Sequence, residues 1–510
     1  MRNFWLLLSG ILIMLTSCRK DFEFEPSTGD LEFSRDTVYL DTVFTNIGSS
    51  TYTLKVYNRS DRDIEIPQIQ LGRGLDSKYR MTIDGMTGNN NRIFNNVELL
   101  ANDSLYVFIE VTADVASANP TDFLYTDQIL FDAGGNQQKV ELVTLIQDAV
   151  FLYPQRFADG TTETLTLGEE EIYGFFLDED DPVNGNEYHF TNQKPYVIYG
   201  YAAVATGKTL EIDPGARIHF HDASGLIVAG GGAVQAIGDY SADPELQENE
   251  IIFEGDRLEP MFAEVAGQWG AIWFTPGAAP SAFHHVTIKN GVIGLYVQAN
   301  TGLLDIRNAK IFDHSNFGIL GQSANIYGEN IAINSAGQAA LACTLGGSYE
   351  FRHSTFNNNW PSSRQVAVLL NNYFELDNVQ TAYDLIKADF INCIIYGSNQ
   401  VEFLADKAET DDKAFNFTMR NVLLRFNSSS PDIATHPLYQ FTDGVRYINV
   451  IRNQGPRFYD IQRNRLYIDE ESPAYQQGDA TFMVPQDITG ATRVAPPDLG
   501  AYKAAAFPED

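Results

Sequence analysis

His284-His285-Val286-Thr287-Ile288, Arg307-Asn308-Ala309-Lys310-Ile311, Glu329-Asn330-Ile331-Ala332-Ile333 and Arg352-His353-Ser354-Thr355-Phe356 end 23, 22 and 23 residues apart. A step of that size is one coil of a parallel β-helix, and no crossover helix fits inside it. In this register Ile288, Ile311, Ile333 and Phe356 stack in one interior file, about 4.8 Å apart. Two residues upstream, Val286, Ala309, Ile331 and Ser354 also face inward, because side chains alternate along a strand. His285, Asn308, Asn330 and His353 then form a polar corner column whose amides and imidazoles can serve turn backbone groups from coil to coil. His284, Arg307, Glu329 and Arg352 form an outward row of mixed charge.

Working outward, the same grammar runs upstream through Thr209-Leu210-Glu211-Ile212, Leu226-Ile227-Val228, Ile251-Ile252-Phe253 and Trp269-Gly270-Ala271-Ile272-Trp273-Phe274. These are short strands broken by Gly and Pro. Trp269 and Trp273 have equal parity, which predicts the same face for both. Downstream, an insertion is expected around Pro361–Asp384, the repeat resumes at Ile391-Asn392-Cys393-Ile394-Ile395, and Phe415–Phe426 makes a last full coil. The β-helix is thus placed at 206–430, with about eight to ten coils and a length of about 40 Å. Residues 431–510 follow as a closing segment, and 151–205 precede it as an irregular lead-in.

Residues 31–150 read as strand after strand. Thr37–Phe44, Tyr52–Tyr57, Ile64–Leu71, Ser104–Thr112, Gln128–Phe131 and Lys139–Ile146 are rich in β-branched and aromatic residues, separated by Asn, Asp, Gly and Ser. Leu105, Val107, Ile109 and Val111 make one aliphatic face. The expectation is an immunoglobulin-like β-sandwich without the Cys-Trp-Cys core of antibody domains.

The N-terminus carries an address. Met1-Arg2-Asn3 is a basic start, Phe4 to Leu15 is apolar but short for a membrane span, and Leu15-Thr16-Ser17-Cys18 matches a bacterial lipobox. This predicts a signal peptide at 1–17, lipidation of Cys18 and a tether at 18–30, hence a membrane anchor through several acyl chains. With Cys18 acylated, Cys343 and Cys393 remain, in different columns of the repeat, and are expected as two buried thiols. The formal net charge is −33, and loss of residues 1–17 removes one Arg and no acid, giving −34. Such a balance argues against nucleic acid, whose phosphates need Lys and Arg.

Several of these blocks resemble a family: Bacteroidetes surface lipoproteins with right-handed parallel β-helix repeats. Arg19-Lys20-Asp21-Phe22-Glu23 is similar to their surface-export signal, with Phe22 interrupting the acidic pair. Leu210–Gly215 with Gly267–Ile272 resembles the first coils of such proteins. Ser472-Pro473-Ala474, Gly478-Asp479, Asp487–Gly490, Arg493 and Asp498–Tyr502 resemble the run that closes them. Asp41–Phe44 through Leu54–Asn58 looks like the sandwich that precedes the helix. The resemblance implies an all-β chain: an N-terminal immunoglobulin-like β-sandwich followed by a right-handed parallel β-helix solenoid, anchored in the outer membrane and facing outward. It does not fix an activity, because this fold hosts lyases, hydrolases, adhesins and passive stalks.

The row His284, Arg307, Glu329 and Arg352, with Asp313 close by, is the one mapped stripe with groups suited to a polysaccharide lyase or glycosidase, which need a base or two carboxylic acids. The plainer reading is a ladder of opposite charges that steadies coil stacking. Ser472 and Asp479 have no histidine near in sequence, which argues against a hydrolase triad. His219 and His221 alternate on one strand face without a third metal ligand. The acidic run Asp178–Asp181 with Asn184–Glu187 has oxygen donors suited to Ca²⁺, but its spacing is not that of an EF-hand, and a solvated acidic loop is the preferred reading. No catalytic, cofactor or metal residue is assigned. The expected role is non-catalytic: a lipid-anchored surface protein presenting its β-helix face to glycans, matrix or partner proteins. Alternatives are a lyase or glycosidase using that face, and a passive stalk.

Overall fold

The chain is all-β in the computed structural model, which describes residues 23–118, 123–168, 170–409, 412–428 and 430–507. The lipobox and Cys18 lie outside the described residues. Contacts divide the chain into two compact units, 1–148 and 149–510. Among the described residues no helix is long and apolar enough to cross a membrane.

The first unit holds two sheets around one core. In one sheet Ile64–Leu71, Leu124–Phe131, Gln138–Gln147 and Thr37–Phe44 are neighbours in that order, and Ile93–Leu99 pairs with Ile64–Leu71. The other runs Glu32–Phe33, Tyr52–Tyr57, Ser104–Val111, Tyr79–Ile83. Alternation decides which side chains meet: Leu105, Val107, Ile109 and Val111 are buried with Val140, Leu142 and Ile146 from the opposing sheet. Tyr79–Ile83 and Ile93–Leu99 were not expected as strands: the first alternates cleanly, with Tyr79, Met81 and Ile83 buried, but is only 5 residues long, and in the second the exposed pair Asn95–Asn96 breaks the alternation.

The second unit is one large sheet in which strands pair in parallel with strands about one step later in sequence. Ile288 pairs with Ile311, Ile311 with Ile333 and Ile333 with Phe356. The file extends upstream through Phe253 and Ile218 to Tyr196, and downstream through Ile395 to Leu424. Every member is buried in a single core. The 39-residue step from Phe356 to Ile395 holds the insertion, which is narrower than expected. Val366–Asn371 stays in the sheet, paired with Ala339–Cys343 on one side and Phe403–Asp406 on the other. Only the hairpin Tyr373–Leu376/Val379–Ala382 projects from it.

The polar column takes its shape from backbone sterics. His285, Asn308, Asn330 and His353 all have φ between 45° and 53°, and Asn392, Asn421 and Asn449 continue at 52–56°. Asn tolerates this left-handed region better than most side chains. Its amide also links coils: Asn330 Nδ2 donates to Asn308 Oδ1 at 2.8 Å, Asn308 and His285 are 3.1 Å apart, and Asn392 and His353 are 3.0 Å apart.

Three expectations are corrected. Residues 151–205 are not irregular: Val150–Leu152, Glu170–Phe176, His189–Phe190, Tyr196–Ile198 and Tyr201–Val204 all enter the large sheet. Their strands are short and their loops unequal, which hides the period. The sheet also runs past Phe426 to Ile451–Arg452. Trp269 and Trp273 part company: Trp269, Ile272 and Phe274 join the core, so the strand changes parity between Ala271 and Ile272, where its register with the next strand also shifts, and Trp273 faces outward.

Residues beyond 430 do two jobs. Leu438 and Tyr447 join the main core. From Phe458 to Tyr502 the chain then lies along the outer side of the sheet, covering Phe312, Ala332, Ile394 and Leu423. Asn330, Asn334, Thr355 and Asn392 each hydrogen-bond to it. Buried Arg493 donates to the carbonyls of Gly500 and Ala501, while Asp487 and Asp498 accept from backbone N–H groups. These residues replace the missing regular hydrogen bonding of an irregular segment.

Candidate functional site

The predicted row forms as an outward ribbon. His284 pairs in register with Arg307, Arg307 with Glu329, and Glu329 with Arg352. Two residues upstream, a second row runs Asp305, Tyr327, Glu350, Asp389 on the same face. The rows interlock. Arg307 Nε donates to Asp305 at 2.9 Å and its Nη1 reaches Glu329 at 3.4 Å. His284 Nε2 lies 3.1 Å from Asp305. Arg352 bonds Glu350 at 2.6 Å rather than Glu329, because an i, i+2 neighbour on one strand is the nearer carboxylate. Lys387 also bonds Glu350, and the Tyr327 hydroxyl donates to Glu329. Arg307 and Arg352 flank the Tyr327 ring at 5.5 and 5.7 Å from its centroid, and Arg352 and Arg420 sit 5.5 Å from Phe482.

Charge pairing sets the protonation. Burial alone would raise the Asp305 carboxyl, but hydrogen bonds from His284 and Arg307 outweigh it and hold it below its ordinary value. Glu350 behaves likewise: burial opposes ionisation, and Lys387 and Arg352 more than offset it. Burial and the neighbouring Glu329 push the Tyr327 hydroxyl upward. The ribbon therefore offers ionised carboxylates locked to cations, and neither Asp305 nor Glu350 can donate a proton at neutral pH. A general acid needs the opposite shift.

Asp305, Tyr327, Glu350 and Lys387 were not singled out from the sequence. The signal was available, since residues two apart share a face, and that rule applied to the charged row reaches the first three directly.

Of the other candidates only Asp479 borders the ribbon, its carboxylate 3.5 Å from Arg420. Asp313 is buried beneath the C-terminal segment, its Oδ2 accepting from Asn464 at 2.8 Å. Burial and the charge of Glu264 push its carboxyl up to about 7. His219 and His221 serve separate acids: His219 is buried 3.7 Å from Glu254, and His221 sits 2.7 Å from Asp256. Burial lowers His219, whereas the Asp256 hydrogen bond raises His221. Ser472 Oγ donates to the Pro456 carbonyl at 2.7 Å, and Asp479 caps Thr481, so both are structural ties. In the acidic run, Asp181 accepts from Val183 and Asn184, and Glu187 accepts from Asp178 N–H and from the Asn184 amide. Among the described residues no group of three His, Cys, Asp or Glu side chains is placed to hold a metal ion. Cys343 and Cys393 are free, buried thiols.

No protein-family model matches the chain, and no curated protein matches it. Among solved structures, the catalytic unit of a thermostable GH87 alpha-1,3-glucanase from Streptomyces thermodiastaticus aligns over 72% of this chain and 79% of its own, at 10% identity and a TM-score of 0.25. A family 123 glycoside hydrolase from Clostridium perfringens aligns over 24% and 26%, at 8% identity and 0.17. The E. coli chaperone DraB aligns over 29% and 80%, at 14% identity and 0.17. The chain spans about a quarter of the length of the Clostridium hydrolase. Likenesses this slight assign neither a fold family nor an activity.

Proposed function

We propose that this chain is a lipid-anchored surface protein that binds glycans without cleaving them. In this reading an immunoglobulin-like β-sandwich near the membrane precedes a right-handed parallel β-helix, and the ribbon from His284 to Arg352 faces the ligand. Support for the helix comes from parallel pairing at steps of 22–23 residues and from the strong preference of parallel crossovers for the right hand. Two sheets sharing one core suit the sandwich, and Leu15-Thr16-Ser17-Cys18 suits the anchor.

One observation carries the non-catalytic part. Asp305, Glu329 and Glu350 each accept from a cation or a hydroxyl beside them. What the ribbon presents is a repeating set of fixed donors and acceptors around Tyr327, matched to a repeating polymer rather than to bond cleavage. The test uses the soluble form starting after Cys18, with a glycan array and a depolymerisation screen run on the same polysaccharides. The expected result is binding without new chain ends, weakened about 2–10-fold by Tyr327→Ala. Release of shortened products would transfer the reading to a lyase or glycosidase, and silence across the array would leave a passive stalk. Loss of acyl labelling in Cys18→Ala tests the anchor separately.

A further inference from the structure

A recess lies on the first strands of the large sheet, lined by residues 151–187 and none of the ribbon's. It encloses about 430 Å³, within the range of small-ligand sites. Phe151 and Tyr153 approach it from the strand Val150–Leu152 and the turn after it, and Phe176 from the end of Glu170–Phe176. Tyr153 is 63% and Phe176 53% exposed. Large aromatic rings left this open beside a cavity are groups that folding has not used. Phe175, next in sequence, is buried in the core. The rim is acidic, with Glu163, Asp178 and Asp181, and no Lys, Arg or His stands among the described residues lining it. Lys208 is close in sequence to this region's partner strands, but Glu179 holds it at 2.6 Å. The floor is firm: Glu187 is buried and tied to Asp178 N–H at 3.0 Å and to the Asn184 amide at 3.0 Å.

Open rings give an apolar platform for the C–H face of a sugar, and carboxylates accept hydrogen bonds from its hydroxyls. The same carboxylates repel any ligand bearing its own carboxylate or sulfate. We infer that this recess holds one pyranose unit of a glycan without acidic groups, packed against both Tyr153 and Phe176 and donating its hydroxyls to Glu163, Asp178 and Asp181. This adds a second site to the ribbon and rests on the glycan reading for its ligand class.

The test is calorimetric titration of the soluble form, residues after Cys18, with neutral hexasaccharides of glucose, mannose and xylose, followed by hexagalacturonate as competitor. Tyr153→Ala and Phe176→Ala are compared with the parent. Both pocket rings are exposed, so their removal leaves the melting temperature unchanged, and this is checked. The inference expects a neutral hexasaccharide to bind, each pocket variant to weaken it about tenfold, and the uronate not to compete. Unchanged binding in both pocket variants overturns the recess as a site. So does equal competition by the uronate. Absence of binding to every neutral and acidic glycan overturns this inference and the glycan reading together.

Discussion

Asn330 concentrates the physics of the corner column. It is 2% exposed, has φ of 51°, and its amide donates to Asn308 Oδ1 at 2.8 Å and to the Gln486 carbonyl at 2.9 Å. In Asn330→Ala, a Cβ-bearing side chain with no local hydrogen bond occupies the left-handed region, at about 1–2 kcal/mol. Two hydrogen bonds vanish as well, at about 1 kcal/mol each. The expected loss is about 3–4 kcal/mol. Asn330→Gly removes the backbone strain but adds about 0.5–1 kcal/mol of chain entropy, so it should be milder by about 1 kcal/mol. Asn330→Asp should be worse than either, because a carboxylate would face two oxygen acceptors. Urea titration followed by tryptophan fluorescence reads this directly, since Trp269, Trp273 and Trp360 all lie in the second unit. The reasoning is refuted if Ala proves no worse than Gly, or if both stay within about 0.5 kcal/mol of the parent.

Core, pH and thiol behaviour follow from the same packing. Ile311→Ala empties a fully buried place between Ile288 and Ile333, and should lower stability by about 2–5 kcal/mol in the same titration. Asp313, pushed up to about 7 by burial, keeps a proton when folded that it loses near its ordinary 3.8 when unfolded. The folded state therefore holds the extra proton between those values, and stability should fall as pH rises from about 4 to about 7, by on the order of 4 kcal/mol at the limit, then level off. Glu402, also pushed up to about 7 by burial, acts in the same direction. Melting of Asp313→Asn/Glu402→Gln across that window should show a flatter profile, and a parallel profile would contradict the assignment. Burial raises the thiols of Cys343 and Cys393, the latter to about 12. In the soluble form both should resist a thiol reagent at neutral pH until urea is added, and fast labelling of the native protein would refute their burial.

The sequence made the interior legible where chemistry repeats at a fixed step. Ile288, Ile311 and Ile333 differ by one coil and share one residue type, so their pairing could be read directly. Trp273 could not, because the register shifts between Ala271 and Ile272 inside the strand, and the small residues Gly270 and Ala271 leave no hydropathic mark. Tyr196–Ile198 and Ile218–Phe220 keep a 22-residue step, yet the unequal loops around them masked it. The C-terminal segment was recognisable as a motif, but its position along the sheet depends on single hydrogen bonds such as Asn334 to Ile461, which carry no period. For the ribbon, the row was readable and the partner choice was not: Arg352 prefers Glu350 because side-chain reach, rather than register, decides between two nearby carboxylates.

Stacking of successive coils in register is open to direct distance measurement. Ile237, His284, Arg307, Glu329, Arg352, Ile391 and Arg420 follow one another as paired neighbours. Spin labels at Ile237→Cys with Arg352→Cys span four steps, and Ile237→Cys with Arg420→Cys six, in the soluble form with its buried native thiols. Pulsed dipolar spectroscopy should give narrow distributions near 19 Å and 29 Å, at about 4.8 Å per step. Broad distributions, or a second distance that does not exceed the first by about 10 Å, would contradict the stacked register.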